Sequence, residues 1–442
     1  MSLGLEARAE AAHRDAGLKR QIGVWAFSGT LINGVIGGGI FAAPAALAAS
    51  VGAWAPLALL ACGIAMGAIV LCCAEAGSRV PSSGGIYAYV EAAFGPLWGF
   101  ICGFTLWISC VLAAAAVAAA FADAIVALWP TGNPGVQRAA LLIGAMGLIA
   151  AINLRGAGLG ARFAGLFMIA KLVPLLLFIG IGLFAIEPAN LRPSTPVDPG
   201  AFGRAMILSI FAFSGMETVL GASGEVARPE KTVPRALLLA MGLVLLIYLA
   251  IQLVAQGLLG PALPGSAEPL ADAMQVVRPE LVLVIAIGAA ISRGGWLFSD
   301  VLGAPRLPFA FARDGFLPAR LGTVNRAQVP AAAILLHVTL ALSLALVGDF
   351  GGLVVLSGLF TVPIYAGACL AAVKLRRDDV RLTGDPFRIP GVAVAAFVGV
   401  ASMVALVALA QWVEIAGLAG AVGLSVALYA IRALFRSRSS RA

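Results

Sequence analysis

The sequence predicts an all-α integral membrane protein with twelve transmembrane helices. Three observations predict it. Apolar runs of roughly 18 residues or more, each long enough to cross about 30 Å of hydrocarbon, recur along nearly the whole chain. Of the 442 residues, 61% are hydrophobic and only 11% are charged, whereas soluble domains carry about 25% charged residues. The basic residues are also distributed unevenly between the loops that the spans define.

The spans fall at 22–49, 55–77, 96–122, 138–155, 163–186, 203–224, 235–259, 281–303, 329–347, 351–373, 392–413 and 416–434. Residues 1–20 are polar and charged and do not read as a cleavable signal peptide. With the N-terminus in the cytoplasm, most of the 29 lysines and arginines lie on the cytoplasmic side. Arg138, Arg192, Arg204 and Arg278 fall outside, and Lys171 and Arg293 lie within spans. This bias places both termini in the cytoplasm of a multi-pass protein of the cytoplasmic membrane. It also accounts for the net charge of +8 without nucleic acid. The basic tail, residues 435–442, reads as a contact with lipid headgroups.

Chemistry-bearing motifs are few. The six cysteines (Cys62, Cys72, Cys73, Cys102, Cys110, Cys369) all sit in apolar spans and read as small core residues. His13 and His337 lack metal-ligand spacing, so neither a metal nor a cofactor is expected. A nucleophile elbow, a P-loop and HExxH are all absent, which argues against an enzyme.

Span one contains "GVIGGGIFAAP", with Gly37, Gly38 and Gly39 in succession. Each costs roughly 1 kcal/mol against alanine in a helix, and a helix break in lipid leaves backbone groups without water. Span six is weakened similarly at "FAFSGME", where Ser214, Gly215 and Glu217 sit near its middle. Close helix packing would explain one glycine cluster taken alone. Interruptions at matching places, five spans apart, instead point to a transporter's binding site. Half-helix N–H groups attract a carboxylate, and freed carbonyls can hold an ammonium.

Ionisable residues within spans are functional suspects. Lys171 lies roughly 13 Å into span five at the helical rise, too deep to snorkel easily. Arg293 and Asp300 stand two turns apart on one face of span eight, poised to pair with each other or with Glu217 and Lys171. Glu75 and Asp123 sit near span ends and read as interfacial. Glu225, Arg228, Glu230, Lys231 and Arg235 read as a polar loop after span six.

Five stretches resemble the amino acid–polyamine–organocation transporters, the amino acid permeases. They are "GVIGGGIFAAPAAL", "RVPSSGGIYAYVEAAFGPLWGF", "FAFSGMETVLGASGEVARPEKTVPRA", "RLPFAFARDGFLPARLGTVNRAQVPAAAI" and "DPFRIPG". The resemblance implies the leucine-transporter fold with broken helices 1 and 6. It comprises a cytoplasmic tail (1–21), a first five-helix repeat (22–186), an inverted second repeat (203–373) and helices 11 and 12 (392–434). The implied substrate site comprises Val35, Ile36, Gly37, Gly38 and Gly39 of span one and Ser109 and Cys110 of span three. Phe211, Ser214 and Gly215 of span six and Trp296 of span eight complete it. Gly38 and Gly39 would offer N–H groups to an α-carboxylate, and the carbonyls of Val35, Phe211 and Ser214 would take the α-ammonium. Phe211 would be an aromatic gate. Lys171 matches the position at which sodium-coupled relatives bind Na⁺, and Glu217 matches an acid used in proton-dependent exchange. Lys171, Glu217, Arg293 and Asp300 are thus the coupling and gating candidates.

Ala114 matches an asparagine that contacts a guanidinium end in the arginine/agmatine antiporter. The apolar replacement favours a neutral amino acid, while Arg293 keeps an acidic one open. The expected function is sodium-independent alternating-access transport, by proton symport or exchange, in a monomer or homodimer. Transport of cationic amino acids or polyamines, and a non-transporting sensor on this fold, are the alternatives.

Overall fold

The computed structural model describes residues 20–82, 84–129, 132–193 and 196–439. The described residues are helical throughout, apart from turns and one isolated bridge between Ile22 and Val226. The helices are α1 (Val24–Val35), α2 (Gly39–Val51), α3 (Ala55–Arg79), α4 (Ile86–Phe94), α5 (Pro96–Leu128), α6 (Pro134–Asn153), α7 (Ala157–Gly182), α8 (Pro199–Phe213) and α9 (Met216–Leu220). There follow α10 (Pro229–Leu259), α11 (Pro269–Val277), α12 (Val282–Gly303), α13 (Arg306–Arg313), α14 (Ala331–Val347), α15 (Phe350–Phe360), α16 (Val362–Arg377), α17 (Val392–Leu409) and α18 (Trp412–Ser439). Among the described residues, nine helical stretches are long and apolar enough to cross a membrane. Shorter apolar helices at Val24–Val35, Ile169–Ala185 and Ala331–Val347 accompany them.

Both breaks expected from the sequence are present: α1 gives way to α2 across residues 36–38, and α8 to α9 across Ser214 and Gly215. A third interruption, not foreseen, divides span ten at Thr361. Pro363 lies in the first turn of α16, where its missing N–H costs nothing. The short α4, α11 and α13 occupy segments read as loops. Gly85 and Gly95, both at positive φ, punctuate the ends of α4. Gly85 allows contact with α9, because a Cβ there would lie 2.7 Å from Gly221 N. This contact explains the "SSGG" stretch.

The polar loop after span six is shorter than expected. Pro229 starts α10, so Glu230, Lys231 and Arg235 belong to its first turns, leaving Glu225 and Arg228 outside. Pro fits the first helical position because that N–H has no intrahelical partner anyway.

α5 is the central helix, buried along almost its entire length by contacts with α4, α14, α15 and α12. Its alanine run, Ala113–Ala116, lets those neighbours approach closely. α18 is peripheral and mostly exposed to the surroundings. All six cysteines are buried and unpaired. His13 and the tail residues 1–19 and 440–442 lie outside the described residues.

Glu75 does not face the surroundings. It is fully buried at the end of α3, where Oε1 accepts from Arg79 Nη2 (3.1 Å) and Arg376 Nε (2.6 Å). Oε2 accepts from the Ile389 N–H at 3.2 Å, and the Phe387 N–H donates to Ser78 Oγ at 3.0 Å. The "DPFRIPG" stretch is therefore clamped onto α3 by a buried carboxylate with several donors, the arrangement a desolvated charge requires. Nearby, in the exposed loop after α16, the Arg381 hydrogen bond holds the Asp379 carboxyl below its ordinary value. Asp123 is half-exposed and pairs with Arg138 at 2.6 Å, as a span-end acid should.

Candidate functional site

The first break is a run of carbonyls satisfied by side chains from three other helices. Lys171 Nζ on α7 donates to Asn33 O (2.8 Å) and to Ile36 O. Trp296 Nε1 and Ser292 Oγ, on α12, donate to Gly34 O (3.1 Å) and Gly37 O (3.2 Å). Tyr248 Oη on α10 lies 3.0 Å from Val35 O and 2.9 Å from Ala212 O. One hydroxyl, with a single proton, thus spans both broken helices. These partners offset the cost of exposing backbone carbonyls away from water.

The three glycines provide space rather than unusual dihedrals, since none of Gly37–Gly39 has positive φ. A Cβ at Gly37 would lie 2.8 Å from the Trp296 ring, and one at Gly39 would lie 3.1 Å from Phe211. At Gly38 it would collide with the Arg293 side chain. The unusual conformation occurs in the second break, where Gly215 has φ +123°. There a Cβ would collide with Gly34 O, so the two breaks cross backbone to backbone.

A cavity of about 360 Å³ lies at this crossing, within the usual range for small-molecule sites. Val35, Gly37, Gly38, Gly39, Ser109, Cys110, Phe211, Ser214, Gly215 and Trp296 all line it. Gly38 and Gly39 open α2, whose first turn leaves N–H groups without intrahelical partners. The lining extends to the exposed Thr30 and Arg306, which mark its mouth.

One expected member stands elsewhere. Ile36 is fully buried behind the lining, its carbonyl turned to Lys171. Ala113, rather than Ala114, faces the cavity, because α5 is apolar on every side and gives no signal of facing. Val35 O is shared with Tyr248, and Phe211 O accepts the Ser214 N–H at 3.2 Å.

The coupling candidates separate into distinct partnerships. Arg293 pairs with neither Asp300, Glu217 nor Lys171. Its Nη1 and Nη2 donate to Glu268 Oε1 (3.1 Å) and Oε2 (3.3 Å) at the start of α11, away from the lining. Glu217 Oε1 accepts the Gly215 N–H (2.9 Å) and Oε2 accepts Tyr365 Oη (2.8 Å), so it caps the second break. Asp300 lines the cavity, with Oδ2 2.8 Å from Nε2 of the fully buried His337. The cavity thus holds two carboxyls, against the apolar pocket that the sequence suggested.

Sequence reasoning missed Tyr248, Ser292, Glu268 and His337 as partners, and Gly34 and Ser357 as lining. Ser357 Oγ donates to Ser109 O at 3.0 Å, joining α15 to α5 beside the cavity. Tyr248 carried a usable signal, a polar tip in the apolar run "LLIYLAIQLV", since a buried tyrosine hydroxyl seeks a partner.

The family described as amino acid permease matches residues 22–431. The chain is 31% identical over 434 residues to an uncharacterized transporter of Mycobacterium tuberculosis, covering 96% of this chain and 93% of the relative. It is 29% identical to the methylthioribose transporter of Bacillus subtilis, over 81% of this chain and 82% of the relative. It is also 29% identical to the serine/threonine exchanger of Bacillus subtilis, over 82% and 85%. This chain belongs to the amino acid permease family of the amino acid–polyamine–organocation superfamily, whose members are membrane transporters and not enzymes.

Proposed function

We propose that the chain is a sodium-independent secondary transporter of small neutral amino acids in the cytoplasmic membrane, working by alternating access. The two five-helix repeats are residues 22–186 and 203–373, with helices 11 and 12 at 392–434, and both termini are cytoplasmic. The observation that carries this reading is Lys171. Its ammonium binds the carbonyls of Asn33 and Ile36 at the first break, occupying the place where a metal cation would otherwise gather backbone oxygens. The N–H groups at Gly38 and Gly39 take the α-carboxylate, while the carbonyls around Phe211 and Ser214 take the α-ammonium. The substrate side chain points toward Ser109, Cys110, Ala113 and Trp296.

Neutral substrates are favoured because both lining carboxyls already have partners, Glu217 in Tyr365 and Gly215, and Asp300 in His337. Arg293 is tied to Glu268 and off the lining, which removes the argument for an acidic substrate. The serine/threonine exchanger and methylthioribose transporter among the relatives support small uncharged cargo. On this reading the mouth at Thr30 and Arg306 opens to the cytoplasm, as in an inward-facing state.

A thermal-shift screen of the purified protein against the twenty amino acids and common polyamines tests the substrate class. Stabilisation by serine, threonine or alanine is expected, followed by labelled uptake into proteoliposomes that is unchanged when choline replaces sodium. Preferential stabilisation by polyamines would assign Asp300 to a cationic cargo. Binding without accumulation would identify a sensor.

A further inference from the structure

We propose that Asp300 and His337 form a proton-binding dyad, whose charge couples proton movement to opening and closing of the cavity. This rests on the transport reading above and adds to it the site of the coupling ion.

The two residues are 37 positions apart, on α12 and α14, and meet through Nε2 and Oδ2 at 2.8 Å. His337 is fully buried, and its Nδ1 has no hydrogen-bond partner among the described residues. Asp300 is 8% exposed, and that exposure is to the cavity. The pair thus joins a buried ring to a carboxyl on the cavity wall, whose side chain is 3% exposed.

Other titratable and charged groups lie on the helices packed around the dyad. From α5, Cys110 lines the same cavity as Asp300 and Glu217. Glu217, on α9, is held by Tyr365 of α16 and by the Gly215 N–H. Arg306 stands at the cavity mouth. On the other helices packed against α12, Lys171 of α7 is turned to the carbonyls of Asn33 and Ile36, and Arg138 of α6 to Asp123. Arg293 of α12 itself is turned to Glu268, beside Asp272 on α11.

The proton balance is simple. An ionised Asp300 with a neutral His337 carries one negative charge; a proton entering from the cavity at the Asp300 carboxyl is shared across the Oδ2–Nε2 contact and gives a pair with no net charge. Histidine is the side chain whose ordinary pKa lies near physiological pH. When the cavity is open, water solvates the Asp300 carboxylate and tolerates the singly charged form. When it closes, a lone charge in the membrane interior costs several kcal/mol, and the protonated, neutral pair is favoured. Because linkage is reciprocal, proton binding favours the closed state. Release follows when the cavity opens onto the more alkaline side.

The test uses the full-length protein in proteoliposomes, with serine as substrate and a pH-sensitive dye in the lumen. For the wild type, serine uptake should carry protons, and an imposed gradient of one pH unit should drive accumulation several-fold above equilibrium. His337→Gln can still hydrogen-bond Asp300 but cannot take up the proton. It should keep serine-for-serine exchange and thermal stabilisation by serine, while gradient-driven accumulation falls to the equilibrium level. The pH profile of its uptake should flatten. Accumulation by His337→Gln equal to wild type, with the same pH profile, would overturn the dyad. So would serine uptake by the wild type with no proton flux, a readout independent of any variant's folding. Wild-type protein that neither binds nor exchanges any amino acid would overturn the transport reading itself, and the dyad with it.

Discussion

The Nζ atom of Lys171, on α7, lies 2.8 Å from the carbonyl oxygen of Asn33, in the last helical turns before α1 breaks. The same ammonium reaches Ile36 O beyond those turns. One buried lysine amine therefore bridges the end of α1 and the break itself. Replacing it releases both carbonyls at once.

Lys171→Ala should preserve amino acid binding, because the lysine lies outside the cavity lining. Translocation should slow by about tenfold or more, since hydrogen bonds to a charged group contribute about 1.5–3 kcal/mol and each 1.4 kcal/mol is a factor of ten in rate. Thermal shift reports the first quantity and initial uptake rates the second. Wild-type uptake by the variant would reduce Lys171 to a structural charge.

Glycine substitutions should separate by position. Gly38→Val collides with Arg293, and Gly39→Val crowds the Phe211 ring; both should lose most substrate binding. Gly242→Ala, on α10, meets nothing within 4 Å and should be neutral or stabilising by up to about 1 kcal/mol. Amino acid amides should bind far more weakly than free amino acids if the N–H groups of the first break hold a carboxylate. Affinity for labelled ligand, measured beside the melting midpoint of each variant, distinguishes lost contact from lost fold.

Glu75→Gln should destabilise the protein by about 3–5 kcal/mol, the usual consequence of leaving a buried partner uncompensated. Arg79 is fully buried beside it and would keep only Val380 O (3.3 Å) and Asp379 (3.8 Å) as partners. The loop holding Phe387 and Ile389 should loosen in parallel, which faster hydrogen exchange at those amides would reveal. A melting midpoint equal to wild type would contradict the clamp.

Arg293→Gln should leave the ratio of serine to aspartate binding unchanged, because the guanidinium is committed to Glu268 and does not line the cavity. A competition assay reads that ratio directly. A large loss of aspartate binding alone would return Arg293 to the substrate site.

The amino-acid sequence by itself determined that the chain is helical and of membrane character, and where two of its helices fail. Those are local properties: an apolar run is long enough or not, and Gly37–Gly39 or Ser214–Gly215 weaken a helix wherever it sits. It also identified Lys171, Glu217 and Asp300 as costly charges in lipid. What the sequence left open is which groups satisfy them. The helices here are apolar on nearly every side, so periodicity carries little information about facing, and Ala113 could not be told from Ala114. The partners of the charges lie far along the chain: His337 for Asp300, Tyr365 for Glu217, and Arg376 for Glu75. Tyr248 reaches both breaks only because α10 passes beside their crossing. Only the tertiary structure decided these pairings, because a buried charge requires a partner but does not specify which helix supplies it.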